Sequence, residues 1–416
     1  MEPTHLSPDA KAFEAALRDH PDDLTGWCAY ADYLAEHGDP RGEFMQVQIA
    51  LEDESRPKAE REALKEREAA LLKEYEREWL GELAPFVLDE GDMQYRTGAE
   101  SIWERGFVSG LVVVNLSNGL AQALHDATAT RFLHELHVHD TMRSLYGDVP
   151  AQPVARVPPP TGVHYHHELF ELTGAPFLDN LRVFRVGNEE VEEGQPWCDC
   201  HLYTRGIEHV IQHMPRVEEL HLLCKEYESA SLFALPNLAH LRTLRMYHLG
   251  GRDYGRQYEY ALDVLAANPA FANLTHLLLH PHCAELGDED DRDLSYLPLA
   301  QVQALLRSPH LKKLTHLQLR LSDMGDDGVR AFIDSGILKR LRWLDLRHGC
   351  VTDEGARLLA ACPDAKRLEH IDLSRNAVSA AGLAVLRKAG VNAVANQPLT
   401  QTELDEREYL REGDSE

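Results

Sequence analysis

The sequence predicts an α/β solenoid, with parallel strands along a concave side and helices along a convex side, preceded by a small all-α unit. Three observations predict it. A short apolar pattern returns nine times after residue 110, helical spacing fills the first 51 residues between turn signals, and apolar residues make up 44% of the whole length. That apolar content, with charges of both signs mixed along the chain, is what a folded array requires and what a disordered chain lacks.

The pattern is L-x-x-L-x-L with Val, Ile, Phe or Met allowed in the apolar slots. It occurs at Leu111/Val114/Leu116, Leu133/Leu136/Val138, Leu181/Phe184/Val186, Val217/Leu220/Leu222 and Leu241/Leu244/Met246. It continues at Leu274/Leu277/Leu279, Leu314/Leu317/Leu319, Leu341/Leu344/Leu346 and Leu368/Ile371/Leu373. Successive first positions lie 22, 48, 36, 24, 33, 40, 27 and 27 residues apart, so the period is clean near the C-terminus and interrupted before it. In the last units a short strand leads through a turn to a glycine (Gly328, Gly355, Gly382) and an amphipathic helix, such as Gly355 to Ala361 with Ala356, Leu359 and Ala360 placed to pack. One such unit cannot bury its own apolar face, so neighbours must stack. These units resemble leucine-rich repeats of the ribonuclease-inhibitor-like class, and the resemblance implies a curved solenoid with helices outside.

Upstream, Phe13, Ala16 and Leu17 share one helix face, and Pro21-Asp22-Asp23 carries the capping chemistry that starts a second helix. Trp27, Tyr30, Ala31 and Leu34 fall at helical spacing, Gly38-Asp39-Pro40 ends that helix, and Phe44, Val47, Gln48 and Leu51 belong to a third. The strings Tyr30-Ala31-Asp32-Tyr33-Leu34-Ala35-Glu36-His37-Gly38-Asp39-Pro40 and Arg41-Gly42-Glu43-Phe44-Met45-Gln46-Val47-Gln48 resemble the bacterial repeat-companion domain. Tyr33 stands where that family has Trp, and Gly42 where it usually has Ala. The resemblance covers about 45 residues, and such domains commonly precede leucine-rich repeats in one chain. Arg105-Gly106-Phe107-Val108 also resembles the lead-in to the array in that family.

The expected boundaries are therefore a helical companion domain at 1–51, a charged linking helix and lead-in at 52–104, the repeat array at 105–395 and an acidic tail at 396–416. Insertions are expected near 140–178, 187–215, 248–272 and 281–310. In the linking helix, Leu64, Leu71, Tyr75 and Trp79 form one stripe among i,i+4 charge pairs. The insertions include a proline-rich one (Pro150, Pro153, Pro158 to Pro160) and acidic ones at 187–194 and 285–293.

A net charge of -27 argues against nucleic acid as the main partner, because phosphate binding is driven by Lys and Arg. No run of 18 uncharged apolar residues occurs, so no membrane partner is expected, and the N-terminal sequence lacks a basic start followed by an apolar run. Single cysteines at 28, 224, 283, 350 and 362 suit reduced thiols, hence a cytoplasmic chain. The oligomeric state is not fixed by these features.

Residues alternating with the buried apolar ones face the groove of such a solenoid. The register places His137, His139, Arg185, His221, Arg245, Tyr247, His276, His280, His316, Arg320, Trp343, Arg347 and His370 there. Seven histidines and four arginines then stand against the acids Glu135, Glu219, Asp345 and Asp372. Arg, Tyr and Trp dominate binding hot spots, so the expectation is a protein partner with acidic or aromatic anchors, bound without catalysis. Histidine charge changes further predict altered binding between pH 5 and 7. From the resemblance, a regulator in a bacterial signalling or defence system is implied.

The alternative is a metal-dependent hydrolase using the Cys/His-rich insertions. Cys198, Cys200 and His201, with His209 and His213, offer ligand types that zinc accepts, but C-x-C-H is not the usual C-x2-C spacing. His164 to His167 and His280 to Cys283 are similar clusters. No G-x-S-x-G, Walker, G-x-G-x-x-G or H-E-x-x-H motif is present, so catalytic residues, metal ligands and cofactors are all expected to be none.

Overall fold

A computed structural model describes residues 7–89, 98–141, 167–192, 195–199, 202, 204, 206–224, 228–246, 260–280 and 297–406. The chain begins with α1 (Pro8–Asp19), α2 (Leu24–Glu36) and α3 (Pro40–Leu51), capped by the side chains of Ser7, Asp23 and Asp39 respectively. Gly42 is where α3 crosses α2. A Cβ there would sit 2.4 Å from the Ala35 nitrogen and 2.6 Å from the Ala31 oxygen, so no larger residue permits this packing. The charged helix α4 (Lys58–Leu80) lays Leu71, Tyr75 and Trp79 against Phe44.

This helical unit grips the first hairpin of the sheet, formed by antiparallel β1 (Ala99–Glu104) and β2 (Phe107–Leu116). Phe107 enters an aromatic nest, parallel to Tyr30 and 4.4 Å from Phe132 between ring centroids. The Arg41 guanidinium lies 5.0 Å from the centroids of both Trp79 and Phe107 and donates to the Gly106 carbonyl at 2.8 Å. Gln48 accepts from the Gly106 N–H at 2.7 Å and donates to the Trp103 carbonyl at 3.1 Å. Arg131 bridges back to the buried Glu14 at 3.0 Å. The hairpin motif and the Arg41/Gln48 string are thus two halves of one contact, closing the leading end of the array.

From β2 onward the main sheet is parallel: β3 (Glu135–Thr141), β4 (Val183–Val186), β7 (Glu219–Leu222), β8 (Thr243–Met246), β9 (His276–Leu279), β10 (His316–Leu319), β11 (Trp343–Asp345), β12 (His370–Asp372) and β13 (Ala393–Val394). With β1 it has eleven strands among the described residues. A separate antiparallel hairpin, β5 (Asn188–Glu192) with β6 (Gln195–Asp199), interrupts it within the acidic stretch. Helices behind the strands include α5 (Gly325–Ser335), α6 (Asp353–Ala361) and α7 (Ala380–Ala389), which pack side by side.

Eight of the nine apolar triplets occupy the core as their spacing requires. The first is out of register: Val113 is buried and Val114 is 36% exposed. Residues 111 to 114 are all apolar, so spacing does not distinguish the faces, and pairing decides instead, with Val113 opposite Val138.

Turns between repeats are held by buried polar groups. Asn376 donates to the carbonyls of Leu346, Leu373 and Ser374 and accepts from the N–H groups of Gly349 and Val351. Leu321, His348 and Arg375, spaced like the repeats, all adopt positive φ (56°, 53° and 57°) where the chain leaves its strand. Among the described residues no helix is long and apolar enough to cross a membrane.

Candidate partner-binding face

Strand register arranges the concave face in columns. The first runs Glu135, Val183, Glu219, Thr243, His276, His316, Trp343, His370, each residue directly opposite the next. The second runs His137, Arg185, His221, Arg245, Leu278, Gln318, Asp345, Asp372. A third, beyond these, holds His139, His280, Arg320 and Arg347. Tyr247 lies outside the described residues.

The two halves of the face differ in chemistry. In the leading half, the second column sets the imidazole of His221 between Arg185 and Arg245. Burial and then those two guanidiniums push its pKa down to about 3. His137 is lowered by burial and then by Arg185, although its Nε2 meets Glu135 at 2.7 Å. Glu219 lies beside both, its Oε2 3.5 Å from Arg185 Nη2 and 3.6 Å from His221 Nε2, while Arg185 Nε and His221 Nε2 are buried and make no hydrogen bond among the described residues. Buried polar atoms are nearly always hydrogen-bonded, so these two adjacent nitrogens are exceptions within the column.

In the trailing half the arginines are already engaged. Arg320 and Arg347 each approach the fully buried Asp345 at 2.7 Å, and Arg347 also reaches Asp372 at 3.4 Å. Burial raises the Asp345 pKa to about 6 against the opposing pull of Arg320. His280 is buried beside Arg320, at 3.5 Å from its guanidinium. The first column here is a row of rings: His276 stacks on His316 with centroids 4.0 Å apart, and Trp343 on His370 at 6.2 Å. Burial lowers the pKa of both His276 and His316, the latter also through His276. The histidines predicted to switch between pH 5 and 7 are therefore shifted toward neutrality at four positions, His137, His221, His276 and His316.

The pairing of Arg320 and Arg347 with Asp345 follows from side-chain reach between strands, which the repeat spacing does not specify. The role of Thr275 and Thr315, each bonded to the following histidine at 2.9 Å, was also missed, though the repeated string Leu-Thr-His-Leu is its signal.

A second concavity, of about 550 Å³, lies between the helical unit and the first repeats, walled by Leu17, Trp27, Trp103 and Phe132. Its charged walls are largely self-paired: Arg105 with Glu52 at 2.7 Å, His134 with Glu104 at 3.2 Å and Arg216 with Asp19 at 2.9 Å. Cys200, His201, His164 to His166 and 281–283 lie outside the described residues, as does the side chain of Cys198. Among the described residues no group of three or more His, Cys, Asp and Glu is placed to hold a metal ion.

A family model described as Leucine Rich repeat matches residues 310–332 and 341–360. Among solved structures, a Bacteroides fragilis protein is 16% identical, with 68% of this chain and 71% of that chain covered and a TM-score of 0.46. A leucine-rich-repeat protein of Leptospira interrogans is 12% identical, with 68% and 90% covered and a TM-score of 0.16. No curated protein matches. The two matched segments hold β10 with most of α5, and β11 with nearly all of α6. The same strand, turn and helix recur along the parallel sheet: the fold is a leucine-rich-repeat solenoid preceded by an all-α N-terminal region.

Proposed function

We propose that this chain is a non-catalytic interaction protein of the bacterial cytoplasm that holds a segment of a protein partner on its concave face, as a regulator in a signalling or defence system. Leucine-rich-repeat proteins are generally interaction scaffolds, and curved solenoids offer extended concave surfaces for this. The observation that carries the reading is the column His137, Arg185, His221, Arg245, in which Arg185 Nε and His221 Nε2 are buried without a hydrogen bond among the described residues and only Glu219 stands nearby, at 3.5–3.6 Å. A carboxylate from the partner would satisfy these nitrogens and offset the two guanidiniums, and an aromatic anchor would extend the Trp343/His370 stack. The helical region serves as the companion domain that caps the array.

The test is affinity purification of partners from the native host with the wild-type chain and with Arg185→Glu/Arg245→Glu. A specific partner recovered by the wild type and lost by the double reversal, with an unchanged circular dichroism spectrum, supports the reading. A partner retained at full yield by the reversal removes the leading half of the face from the site.

A further inference from the structure

The histidine pair at the centre of the face has a fixed hydrogen-bond polarity. His276 and His316 are directly opposite on β9 and β10, with rings 4.0 Å apart and 15° from parallel. Each Nδ1 is 2.9 Å from the hydroxyl of the preceding threonine. Those hydroxyls are also 3.0 Å (Thr275 to the Arg242 carbonyl) and 3.2 Å (Thr315 to the Thr275 carbonyl) from oxygens that can only accept. A hydroxyl has one proton. If it goes to the carbonyl, the imidazole supplies Nδ1–H to the threonine oxygen and both contacts are satisfied. If it goes to the imidazole, two oxygens face each other with no proton between them. The first arrangement is favoured, and it leaves each Nε2 as a lone-pair acceptor. No hydrogen bond or ion pair engages either Nε2 among the described residues, and both side chains are half-buried. Burial disfavours protonation of both rings.

Two neutral acceptors side by side, on a chain of net charge -27, complement a cation that donates hydrogen bonds. We infer that His276 and His316 form a subsite for a primary ammonium of the partner, one strand away from the arginine column that takes its carboxylate. A primary ammonium carries three N–H bonds and can bridge both acceptors, whereas a carboxylate has nothing to donate to them. This inference rests on the concave face being the binding face and adds a polarity to it: the partner segment places its acid over β4 to β8 and its ammonium over β9 and β10. The ammonium comes from a lysine side chain of the partner.

The test is long-range proton–nitrogen NMR on the full chain labelled at histidine, with signals assigned through His276→Gln and His316→Gln. The expected spectrum shows both residues as Nδ1–H tautomers at pH 7.5. Titration with the N-acetylated peptide Gly-Lys-Gly-Lys-Gly should shift both Nε2 signals, and the same peptide with acetylated lysines should act at least tenfold more weakly. A Gly-Gly-Gly peptide with a free N-terminus, acting as strongly as the lysine peptide, would overturn lysine as the group recognised. Nε2–H tautomers, or equal shifts from the lysine and acetyl-lysine peptides, would overturn the subsite. Because this readout needs no natural partner, it can fail while the partner-capture experiment succeeds, and the reverse.

Discussion

The carboxylate of Asp326, at the start of α5, reaches across to the next repeat and accepts the backbone N–H groups of Thr352 and Gly355 at 2.9 Å each, while its second oxygen accepts the Thr352 hydroxyl at 2.7 Å. Asp353 repeats the contact one unit later, on Ser379. These two repeat helices, Asp353–Ala361 and Ala380–Ala389, are therefore each capped in part by the unit before them. The close approach leaves no room for a side chain: a Cβ on Gly355 would sit 2.5 Å from Asp326 Oδ1 and 2.6 Å from Val351 Cγ1, and one on Gly382 would sit 2.2 Å from Asp353 Oδ1.

Gly355→Ala is accordingly expected to lower stability by about 1–3 kcal/mol, the range for forcing atoms into a packed site, despite alanine's better helix propensity. Asp326→Ala should cost about 1–2 kcal/mol as a lost cap. Urea denaturation of both single variants and the double variant should show sub-additive losses, since removing the carboxylate relieves part of the clash while Val351 still limits it. Fully additive losses would mean the two residues are not in contact.

These contacts show where spacing is informative and where it is not. The glycines at 328, 355 and 382 were legible as a repeat feature, because a period of 27 residues puts them in equivalent places. The face of each strand was legible wherever apolar residues alternate with polar ones, and it failed at Val113 and Val114 where they do not. The engagement of Arg320 and Arg347 was not legible, because it depends on a carboxylate 25 residues from one and two from the other being buried between them. The Arg105-Gly106-Phe107 turn was visible as a motif, but its contact with Arg41 and Gln48 joins residues about 60 apart in sequence with no periodicity to link them.

That contact makes a second prediction. Gly106 has φ 84°, and a Cβ on it would meet Met45 Cγ at 2.2 Å, so Gly106→Ala is disfavoured both by backbone conformation and by packing. Arg41→Lys keeps the charge but loses the planar stacking on Trp79 and Phe107. Each variant should lower the thermal midpoint and expose the helical unit to limited proteolysis between residues 52 and 98 while the array stays resistant. Unchanged cleavage kinetics in both variants would show that the docking does not depend on this turn.

Asp345 predicts a pH dependence. Its folded-state pKa is raised from 3.8 to about 6, so the native state holds a proton there that the unfolded chain has released between those values. Its contribution is thus greatest below pH 3.8 and is lost as pH rises through about 6, a span worth at most about 3 kcal/mol at 1.36 kcal/mol per unit. Asp345→Asn removes this dependence, although it leaves Arg320 and Arg347 short of a counter-charge and so lowers stability overall. The measurement is the slope of unfolding free energy between pH 4 and 6.5. The wild type should lose more stability than the variant across that interval, and parallel curves would contradict the raised pKa.

His221 has the opposite sign. Its folded-state pKa is lowered from 6.5 to about 3, by burial first and then by Arg185 and Arg245, so the unfolded chain binds a proton that the native state refuses. The stability this represents is complete above pH 6.5 and declines as pH falls toward 3. His221→Gln, uncharged throughout, should flatten the acid limb of the stability curve. The His221 ring carbons should show no titration step above pH 5 by NMR in the free protein. Because a bound carboxylate offsets both guanidiniums, it favours the protonated ring, and binding an acidic partner segment at pH 5.5 should be accompanied by proton uptake in calorimetry repeated in buffers of different ionisation enthalpy. Uptake that is absent in the wild type, or unchanged in His221→Gln, would separate this histidine from the acid-binding column and leave the arginines alone to account for it.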